Sequence, residues 1–247
     1  MSEKDANPIV QLPLVCTRGV IVFPDQDVII DVGREKSTRA VDEAQEKFDS
    51  QVVLVAQRDL AVEAPEINDL YSFGTLCQIR HIRRMDGYLR VKFKGLQRVK
   101  LHTIINDDEM MSVTAEVVQD IEQDHLEEVA LVRKIARQFE EIEAVSQNIP
   151  KEMINELAKG VSAARLSDQI AQIFPFSIEK RQTILETFGV NDRLILILQE
   201  MESEKELSVI ENKINDKVKN RIEENQKEYY LREKMRAIKE ELGDVAE

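Results

Sequence analysis

The sequence predicts an α+β protein: a small antiparallel β-barrel-like N-terminal domain, then an all-α bundle and a long C-terminal helix. Short runs of β-branched residues between Gly, Pro and polar turns fill the first 120 residues of the 247-residue chain, and helical spacing replaces them afterwards. The last segment, residues 191–242, contains no Pro and no Gly, although the chain has 6 Pro and 8 Gly. These observations divide the chain into a β-rich domain (1–120), a helical bundle (121–190) and a long helix (191–243).

The first domain is predicted to contain seven short strands and one helix. The helix covers 34–48, with Ala40, Val41 and Ala44 on one face, and residues 58–68 form a polar loop. Asp86-Gly87 predicts a tight hairpin turn between two strands. β-branched and aromatic residues place the strands at 9–16, 20–23, 28–32, 51–56, 72–82, 88–101 and 111–118.

Capping residues mark the helices of the bundle. Apolar residues from Val129 to Ile142 recur at helical spacing, which predicts a helix over 122–146. Pro is common at the first position of a helix and Gly just after its last, and Ser is a preferred N-cap residue. The boundaries predicted in this way are Pro150 as a start, Gly160 as a stop, Ser162 and Ser177 as N-caps, Gly189 as a C′ residue and Asn191 as the cap of the long helix.

The long helix is predicted to leave its own domain, because ~52 residues at ~1.5 Å per residue span ~78 Å. Between Ser203 and Leu242, Lys/Arg and Asp/Glu are equal in number, 10 of each. Two apolar stripes step by three and four and change register at Tyr229-Tyr230, which predicts two contact zones with different partners or an ordinary coiled-coil arm. The stripes are Leu207, Ile210, Ile214, Val218 and Ile222, followed by Leu231, Met235, Ile238 and Leu242.

Charge and composition exclude several functional classes. The net charge is −13 and none of the three segments is basic overall, which argues against nucleic acid as the main partner. No run approaches the ~18 apolar residues of a membrane span, and the polar N-terminus has no signal region, so we expect a cytoplasmic protein without a membrane partner. Cys16 and Cys77 lie in apolar strand-like runs, which predicts buried free thiols in a reducing compartment.

No catalytic, cofactor-binding or metal-binding residue is predicted in this chain. It has no Gly-x-x-x-x-Gly-Lys-Ser/Thr phosphate loop, no Gly-x-Gly-x-x-Gly and no nucleophile elbow. His81, His102 and His125 lack metal-ligand spacing, and nothing near either cysteine would activate a thiol. Binding and assembly are the functions that stay open.

Two surface features are candidates for contact with a partner. Residues 80–100 hold eight Lys/Arg and one Asp, which fits a basic hairpin for nucleic acid or acidic polypeptide, and also a solvated sheet face. Apolar residues at predicted loop tips fit contact with unfolded polypeptide, with core filling as the alternative. These substrate-contact candidates are Phe23, Pro24, Met85, Tyr88, Met110 and Met111.

Several segments resemble the family of the ATP-dependent protease Lon. Leu12-Pro-Leu-Val, Arg18-Gly-Val-Ile-Val-Phe-Pro24 and Lys94-Gly-Leu-Gln-Arg-Val99 are similar to the opening part of bacterial members. Gln226-Lys-Glu-Tyr-Tyr-Leu-Arg-Glu-Lys-Met-Arg-Ala-Ile-Lys-Glu-Glu-Leu-Gly243 is similar to the stretch that leads into their AAA+ module. The resemblance covers nearly the whole chain and implies the N-terminal region, ending just before that module.

The resemblance implies a homohexameric, ATP-driven serine protease of protein quality control and stress response. ATP and Mg would bind in the AAA+ ATPase module, and the serine–lysine dyad would also lie outside this chain. The chain itself would be a non-catalytic region that recognises unfolded, damaged or regulatory proteins and supports hexamer assembly, with self-association, for example as a dimer, expected on its own. Tyr229, Tyr230, Leu231 and Met235 would face the pore entry or an adjacent subunit.

Two other classes stay open. A stand-alone binding module with the same β fold would not need the segment from Tyr229 to Gly243. A coiled-coil or nucleic-acid-binding adaptor would use the basic hairpin 80–100, and its binding would weaken steeply as salt is raised.

Overall fold

In the computed structural model, residues 7–143 and 162–241 are described, and they form a β domain followed by helices. The helix predicted between Pro150 and Gly160, and the stop at Gly243, lie outside the described residues. The strands are β1 (Ile9–Thr17), β2 (Asp27–Val32), β3 (Gln51–Ala56), β4 (Phe73–Arg84), β5 (Leu89–Asn106) and β6 (Met111–Val118). The helices are α1 (Glu35–Lys47), α2 (His125–Glu143), α3 (Ala163–Ile173), α4 (Ile178–Glu186) and α5 (Val190–Glu241), with a 3₁₀ turn at Ile67–Asp69.

The described strands close into a barrel with one strand appended. The hydrogen-bonding order is β2–β5–β4–β3–β1–β6, and β6 also pairs with β5, so β5, β4, β3, β1 and β6 form a ring. All pairs are antiparallel except that of β1 with β3. β5 makes the closure possible because its 18 residues pair with β2 over the first part and with β6 over the last. The predicted α+β class with a barrel-like domain is confirmed.

The strand predicted at 20–23 was wrong, because this segment does not join the sheet. The segment is mostly buried, and side chains bind its polar groups in place of a ladder. Thr75 Oγ1 donates to Val22 O (2.5 Å), and Phe23 N donates to Gln26 Oε1 (2.9 Å). A Cβ on Gly95 of β5 would lie 2.0 Å from Phe23 O, so only glycine lets the segment pass this close to the strand.

Two apolar cores lie on opposite faces of the strands, and α1 covers one of them. Its Ala40, Val41 and Ala44 pack in a cluster with Val91 and Phe93 of β5, as the apolar face in the sequence predicts. The second core gathers residues from β1, β3, β4, β5 and β6, among them Leu14, Val53, Leu76, Val99 and Val113.

A third core joins the barrel to the helices. Ile21 and Phe23 of the segment 20–23 belong to the same cluster as Phe139 of α2, Phe174 after α3 and Leu194 of α5. The first turns of the long helix therefore lie inside a core that the two domains share. The predicted division at residue 120 separates the β domain from the helices, and this core is the interface between them.

Four charged side chains cross the same junction, and we call them the arginine–aspartate node: Arg98, Asp120, Asp168 and Arg193. Arg98 of β5 donates from both Nη atoms to the two carboxylate oxygens of Asp168 of α3. Arg193 of α5 donates from Nε to Ser167 Oγ (2.7 Å) and from Nη1 to Asp120 Oδ1 (2.8 Å). The node therefore ties the barrel, the bundle and the base of the long helix together.

Serine residues cap two helices of the bundle, as predicted. Ser162 Oγ accepts from Arg165 N (3.5 Å) at the start of α3, and Ser177 Oγ accepts from Lys180 N (3.3 Å) at the start of α4. Each satisfies one of the backbone donors that the first turn of a helix leaves unpaired.

The long helix is confirmed as one continuous element of 52 residues, α5, but its predicted cap was wrong. Gln123 Oε1, distant in sequence, accepts from the backbone N–H groups of Asn191 (2.9 Å) and Asp192 (3.2 Å). Gly189 is not the C′ residue of α4, because Thr187 caps that helix. A Cβ on Gly189 would lie 2.7 Å from Gln123 Oε1, so glycine makes room for the capping side chain.

Candidate functional site

A cavity of about 360 Å³ opens beside the N-terminus of α1, and we call it the α1 cavity. Its floor is formed by Leu14, Cys16 and Met111, two of them sulfur-containing side chains. Its rim carries Lys36 of α1 and the loop 63–66, which is exposed except at Pro65. An apolar floor below a charged rim is typical of binding sites for apolar groups.

A second cavity of about 280 Å³ adjoins the first and runs between β1 and β2; we call it the β1–β2 groove. Cys16, Arg34 and Ser37 line both cavities, so the two are neighbours around the start of α1, and we call them together the cleft. The apolar residues that line the groove are Val15, Val20, Ile30 and Val32.

Hydrogen bonds from Arg34 and Gln57 fix the walls of the cleft. Arg34 donates from Nη2 to Gln57 Oε1 (2.7 Å) and from Nη1 to Cys16 O (3.5 Å). Gln57 is completely buried, and its Nε2 donates to Asp59 O (2.7 Å) and Val62 O (2.8 Å). The start of α1 is thereby tied to β1 and to the loop after β3. A cleft ordered in this way loses little conformational entropy when a ligand enters.

Both cysteines are free thiols, as predicted; Cys77 is buried, whereas Cys16, also predicted to be buried, is only half-buried. Burial raises the pKa of the Cys16 thiol to about 11, and the positive charge of Arg34 lowers it by less. Burial also raises the pKa of Cys77. Cys16 Sγ lies 3.5 Å from Met111 Sδ, its hydrogen-bond partner. Because the thiolate is the reactive form, the raised pKa makes the Cys16 thiol a weak nucleophile toward a ligand in the cleft.

Metal binding has no support in the part of the chain that the structure describes. There, no group of three or more His, Cys, Asp or Glu side chains is placed to hold an ion. His102 Nε2 is 2.9 Å from Glu116 Oε2, and His81 and His125 are exposed on different elements.

The six predicted substrate-contact residues do not form one surface. Phe23 is completely buried and Met111 is only 6% exposed, so neither lies at an exposed loop tip, although Met111 reaches the α1 cavity. The other four are half-buried and stay candidates. Pro24 precedes β2, and Tyr88 lies beside Gly33 at the far end of that strand. Met85 closes the same hairpin as Tyr88, and Met110 packs against the core under α1.

Acidic residues neutralise much of the basic segment 80–100. Arg90 forms two hydrogen bonds to the Asp31 carboxylate (2.7 and 2.8 Å), and Arg98 is buried in the arginine–aspartate node. The exposed face of the hairpin is therefore a mixed-charge surface. The ion pairs that contribute to it are Arg84–Asp42, Arg90–Asp31, Lys92–Asp27 and Lys94–Asp25.

Most of α5 extends into solvent. From Ile210 to Glu241 every residue is exposed, so the two apolar stripes are open to a partner, apart from Leu242, which lies outside the described residues. The residues predicted at the pore entry or an adjacent subunit are among them: Tyr229 is 68% exposed, Tyr230 62%, Leu231 53% and Met235 62%. For all its length, α5 is too polar to be a membrane span, and none of the other described helices qualifies.

Sequence reasoning missed the residues that build the cleft and the junction. Gln57 follows β3 directly and Arg34 follows β2 after Gly33, and no local pattern indicates that they meet across 23 positions. The sequence did contain a signal for Asp168 and Arg193. Each is a charged residue next to the apolar positions of a buried helix, and a charge there needs a partner.

Comparison with known proteins identifies the family. Residues 11–203 match the model of the ATP-dependent protease La (LON) substrate-binding domain. Lon protease of Escherichia coli (strain K12) is 35% identical over 237 residues, which are 96% of this chain and 30% of the relative. Lon protease of Brevibacillus choshinensis is 34% identical over 235 residues, or 95% of this chain and 30% of the relative. The chain thus spans about 30% of the length of these relatives.

Two solved structures share the fold. The N-terminal domain of Mycobacterium avium complex Lon protease superposes with a TM-score of 0.62 at 17% identity, over 78% of this chain and 98% of that one. A Lon N-terminal domain protein from Xanthomonas campestris gives a TM-score of 0.52 at 17% identity, over 77% and 98%. With the match of residues 11–203 and the 35% identity to a Lon protease, the chain belongs to the Lon protease family and corresponds to its N-terminal, substrate-binding region.

Proposed function

We propose that this region binds unfolded, damaged or regulatory proteins in the cytoplasm for ATP-driven degradation by a Lon serine protease. The observation that carries the proposal is the cleft at the start of α1, an open and pre-ordered cavity in a chain of this substrate-binding family. Proteolysis would be performed by the part of the relatives that this chain does not cover.

The chemistry of the α1 cavity suits polypeptide segments that folded proteins hide. Leu14, Cys16 and Met111 offer an apolar floor, and sulfur-containing side chains adapt to ligands of different shape. The rim carries both signs of charge, among them Lys36 and Glu63, so it does not select strongly for one charge. Such a site would recognise exposed apolar side chains in many sequences.

ATP and Mg would bind in an ATPase module and not in this region. The chain has no phosphate-binding loop, and its described residues offer no cluster of metal ligands, so the residues present do not fit an ATP–Mg complex. The contribution of this region would be binding energy alone.

Filling the α1 cavity tests the proposal. Ala64 is exposed on the rim loop, so Ala64→Trp should fill the cavity without removing a core side chain. We expect it to raise the Kd for a labelled, permanently unfolded polypeptide by about tenfold, measured by fluorescence anisotropy. Ala61→Trp adds the same side chain to the same loop outside the cavity, and should leave the Kd within about twofold.

Equal affinities of the two tryptophan variants would show that the α1 cavity does not bind the polypeptide. The folded form of the same polypeptide and a labelled oligonucleotide serve as controls for the wild type. Binding that prefers the unfolded chain and survives raised salt supports apolar recognition. A wild-type protein that binds no unfolded polypeptide would leave assembly as the role of this region.

Assembly is a second candidate function, favoured by the exposed stripes of α5. Ile210, Ile214 and Val218 are each 52–53% exposed, on one face of a helix whose residues 203–242 carry equal numbers of opposite charges. Burying such a stripe against another copy is the usual way to stabilise a long exposed helix. We propose that α5 self-associates here, as a dimer in this chain alone and within a homohexamer in the longer protein.

A charge in the stripe should weaken that association. Ile214→Asp is expected to shift sedimentation toward the monomer at a protein concentration where the wild type associates. Asn220→Asp introduces the same carboxylate on the side of α5 that points away from the stripe, and should leave the profile unchanged. If both variants sediment like the wild type, the stripe is not the contact between copies.

The ion pairs of the hairpin remove the main support for the nucleic-acid alternative. Four of its basic residues already face aspartates within 4 Å, and Arg98 is buried. Few free cations remain to displace the counterions of a phosphate backbone. Oligonucleotide binding that disappears at raised salt would restore this alternative.

A further inference from the structure

One strand of the β domain keeps a free edge. β2 stands at the end of the strand order, and all six of its residues pair with β5 alone. Within the residues that the structure describes, no backbone hydrogen bond reaches the other side of β2. The barrel closes through β6 instead, which leaves β2 outside the ring.

The register with β5 determines which backbone groups face outward. Gly95 N donates to Gln26 O (2.8 Å) just before β2, and hydrogen-bonded positions alternate with non-bonded positions along an antiparallel ladder. The positions bonded to β5 therefore start at Val28 and recur at every second residue. The residues whose backbone N–H and C=O face outward are Asp27, Ile29 and Asp31.

The space beside this edge suits one more strand. The β1–β2 groove of about 280 Å³ lies there, with Val15, Val20 and Ile30 among its apolar lining. On the opposite side of the groove, β1 also ends its pairing with β6 at Leu14, so its last residues form no ladder toward β2. A chain added at the edge of β2 would place every second side chain over the apolar groove.

We propose that β2 is a docking strand: an extended, unfolded segment of a client adds to its free edge as an extra strand. Backbone hydrogen bonds supply an affinity that does not depend on the client's sequence, and the groove selects apolar side chains at alternate positions. The inference rests on the proposed function, because it names the conformation in which the client is bound.

Charge favours a client over a second copy of this chain. If two β2 strands paired antiparallel about Ile29, Asp27 of each copy would face Asp31 of the other. Like charges directly opposite destabilise a pair, although the ion pairs of Asp27 with Lys92 and of Asp31 with Arg90 on β5 screen part of this repulsion. A client with lysine or neutral residues between its apolar ones meets no such repulsion. Clients of this kind are expected to bind more tightly than clients with acidic residues at those positions.

Ile29→Pro tests the backbone hydrogen bonds. The side chain of Ile29 is 64% exposed and its N–H faces outward, and proline is tolerated at such an edge while it removes the donor. We expect the Kd for a labelled, permanently unfolded polypeptide to rise about tenfold. Ile29→Thr keeps the N–H and the β preference, and should leave the Kd within about twofold.

A second measurement leaves the protein unchanged. A labelled peptide of alternating valine and lysine is compared with two forms of it, N-methylated on the valines or on the lysines. Alternate N–H groups of a strand face opposite edges, so only one of the two methylated peptides should lose affinity, by about tenfold. The peptide with glutamate in place of lysine should bind more weakly than the parent.

The outcomes separate this inference from the proposed function. Equal behaviour of the two methylated peptides overturns it, and so does an Ile29→Pro protein that binds like Ile29→Thr. A dimer that Ile29→Pro abolishes overturns it in favour of a second copy on β2. If Ala64→Trp weakens binding while Ile29→Pro does not, the docking strand fails and the cleft stands. A wild type that binds no unfolded polypeptide overturns both.

Discussion

Replacing Asp168 by asparagine is expected to weaken the joint between the barrel and the long helix. In the arginine–aspartate node, Arg98 and Arg193 bring two positive charges, and Asp168 and Asp120 balance them. The side chains of Arg98, Arg193 and Asp168 are 4%, 0% and 6% exposed, against 29% for Asp120. The neutral amide would leave two buried guanidinium groups facing one carboxylate that water partly screens.

The geometry sets the size of the effect. Removing one partner of a buried ion pair costs about 3–5 kcal/mol, because the other charge stays buried without compensation. The amide oxygen that Asp168→Asn introduces can still accept a hydrogen bond but carries no charge, whereas Asp120 Oδ1 remains 3.4 Å from Arg98 and compensates part of its charge. We therefore expect a loss at the lower end of the range, about 3 kcal/mol of the free energy of unfolding. That is a large share of the ~5–15 kcal/mol that stabilises a typical domain.

Urea unfolding followed by far-ultraviolet circular dichroism measures this loss. Asp31→Asn is the matched control, because Asp31 pairs with Arg90 at 2.7 Å while the two side chains are 48% and 46% exposed. Exposed pairs contribute little, so the control should unfold near the wild-type midpoint. The reasoning is refuted if Asp168→Asn moves the midpoint no further than Asp31→Asn does.

Gly95→Ala should lower the free energy of unfolding by about 1–3 kcal/mol in the same assay, because the new Cβ would lie 2.0 Å from a carbonyl oxygen and would displace the backbone. Gly33→Ala is the control: its Cβ would meet the nearest atom at 3.6 Å, so the free energy of unfolding should change little. Burial raises the pKa of Cys16 to about 11, so Ellman's reagent at about pH 8 should react with this thiol only after unfolding in urea, and rapid reaction of the folded protein would contradict this. Backbone N–H groups at Met110 and at the residue before it lower the pKa of Asp107, so the stability this group adds is present above its unfolded pKa and is lost as pH falls through its folded pKa. Asp107→Asn should therefore flatten the acid side of the stability profile, and an unchanged profile would count against the assignment.

Local pattern was enough to predict most elements. The helix expected at 34–48 is α1 at Glu35–Lys47, because neighbouring residues determine its apolar face and its boundaries. The long helix follows from the lack of Pro and Gly, since both would interrupt it and nothing else in the segment opposes helix. Ser162 and Ser177 cap their helices through bonds that span three positions.

The wrong predictions concern groups whose partners lie outside the local pattern. The run 20–23 has the composition of a strand, but Thr75 and Gln26 side chains bind its polar groups, so it needs no ladder. Asn191 has the residue type of a cap, but Gln123, 68 positions away, accepts from the N–H groups at the start of α5. The cleft belongs to the same class, because its walls come from β1, α1 and the loop after β3.

The free edge of β2 shows why the candidate site could not be predicted from periodicity. Alternation along β2 indicates that one face is buried, and it contains no information on whether one or both edges are paired. Here the pairing depends on β5, whose first residues take β2 and whose last residues take β6, so the ring closes without using the outer edge of β2. A strand left outside a closed ring is a property of the topology alone. If an extended client docks there, the specificity of this region depends on the connections between its strands as much as on the residues that line its cleft.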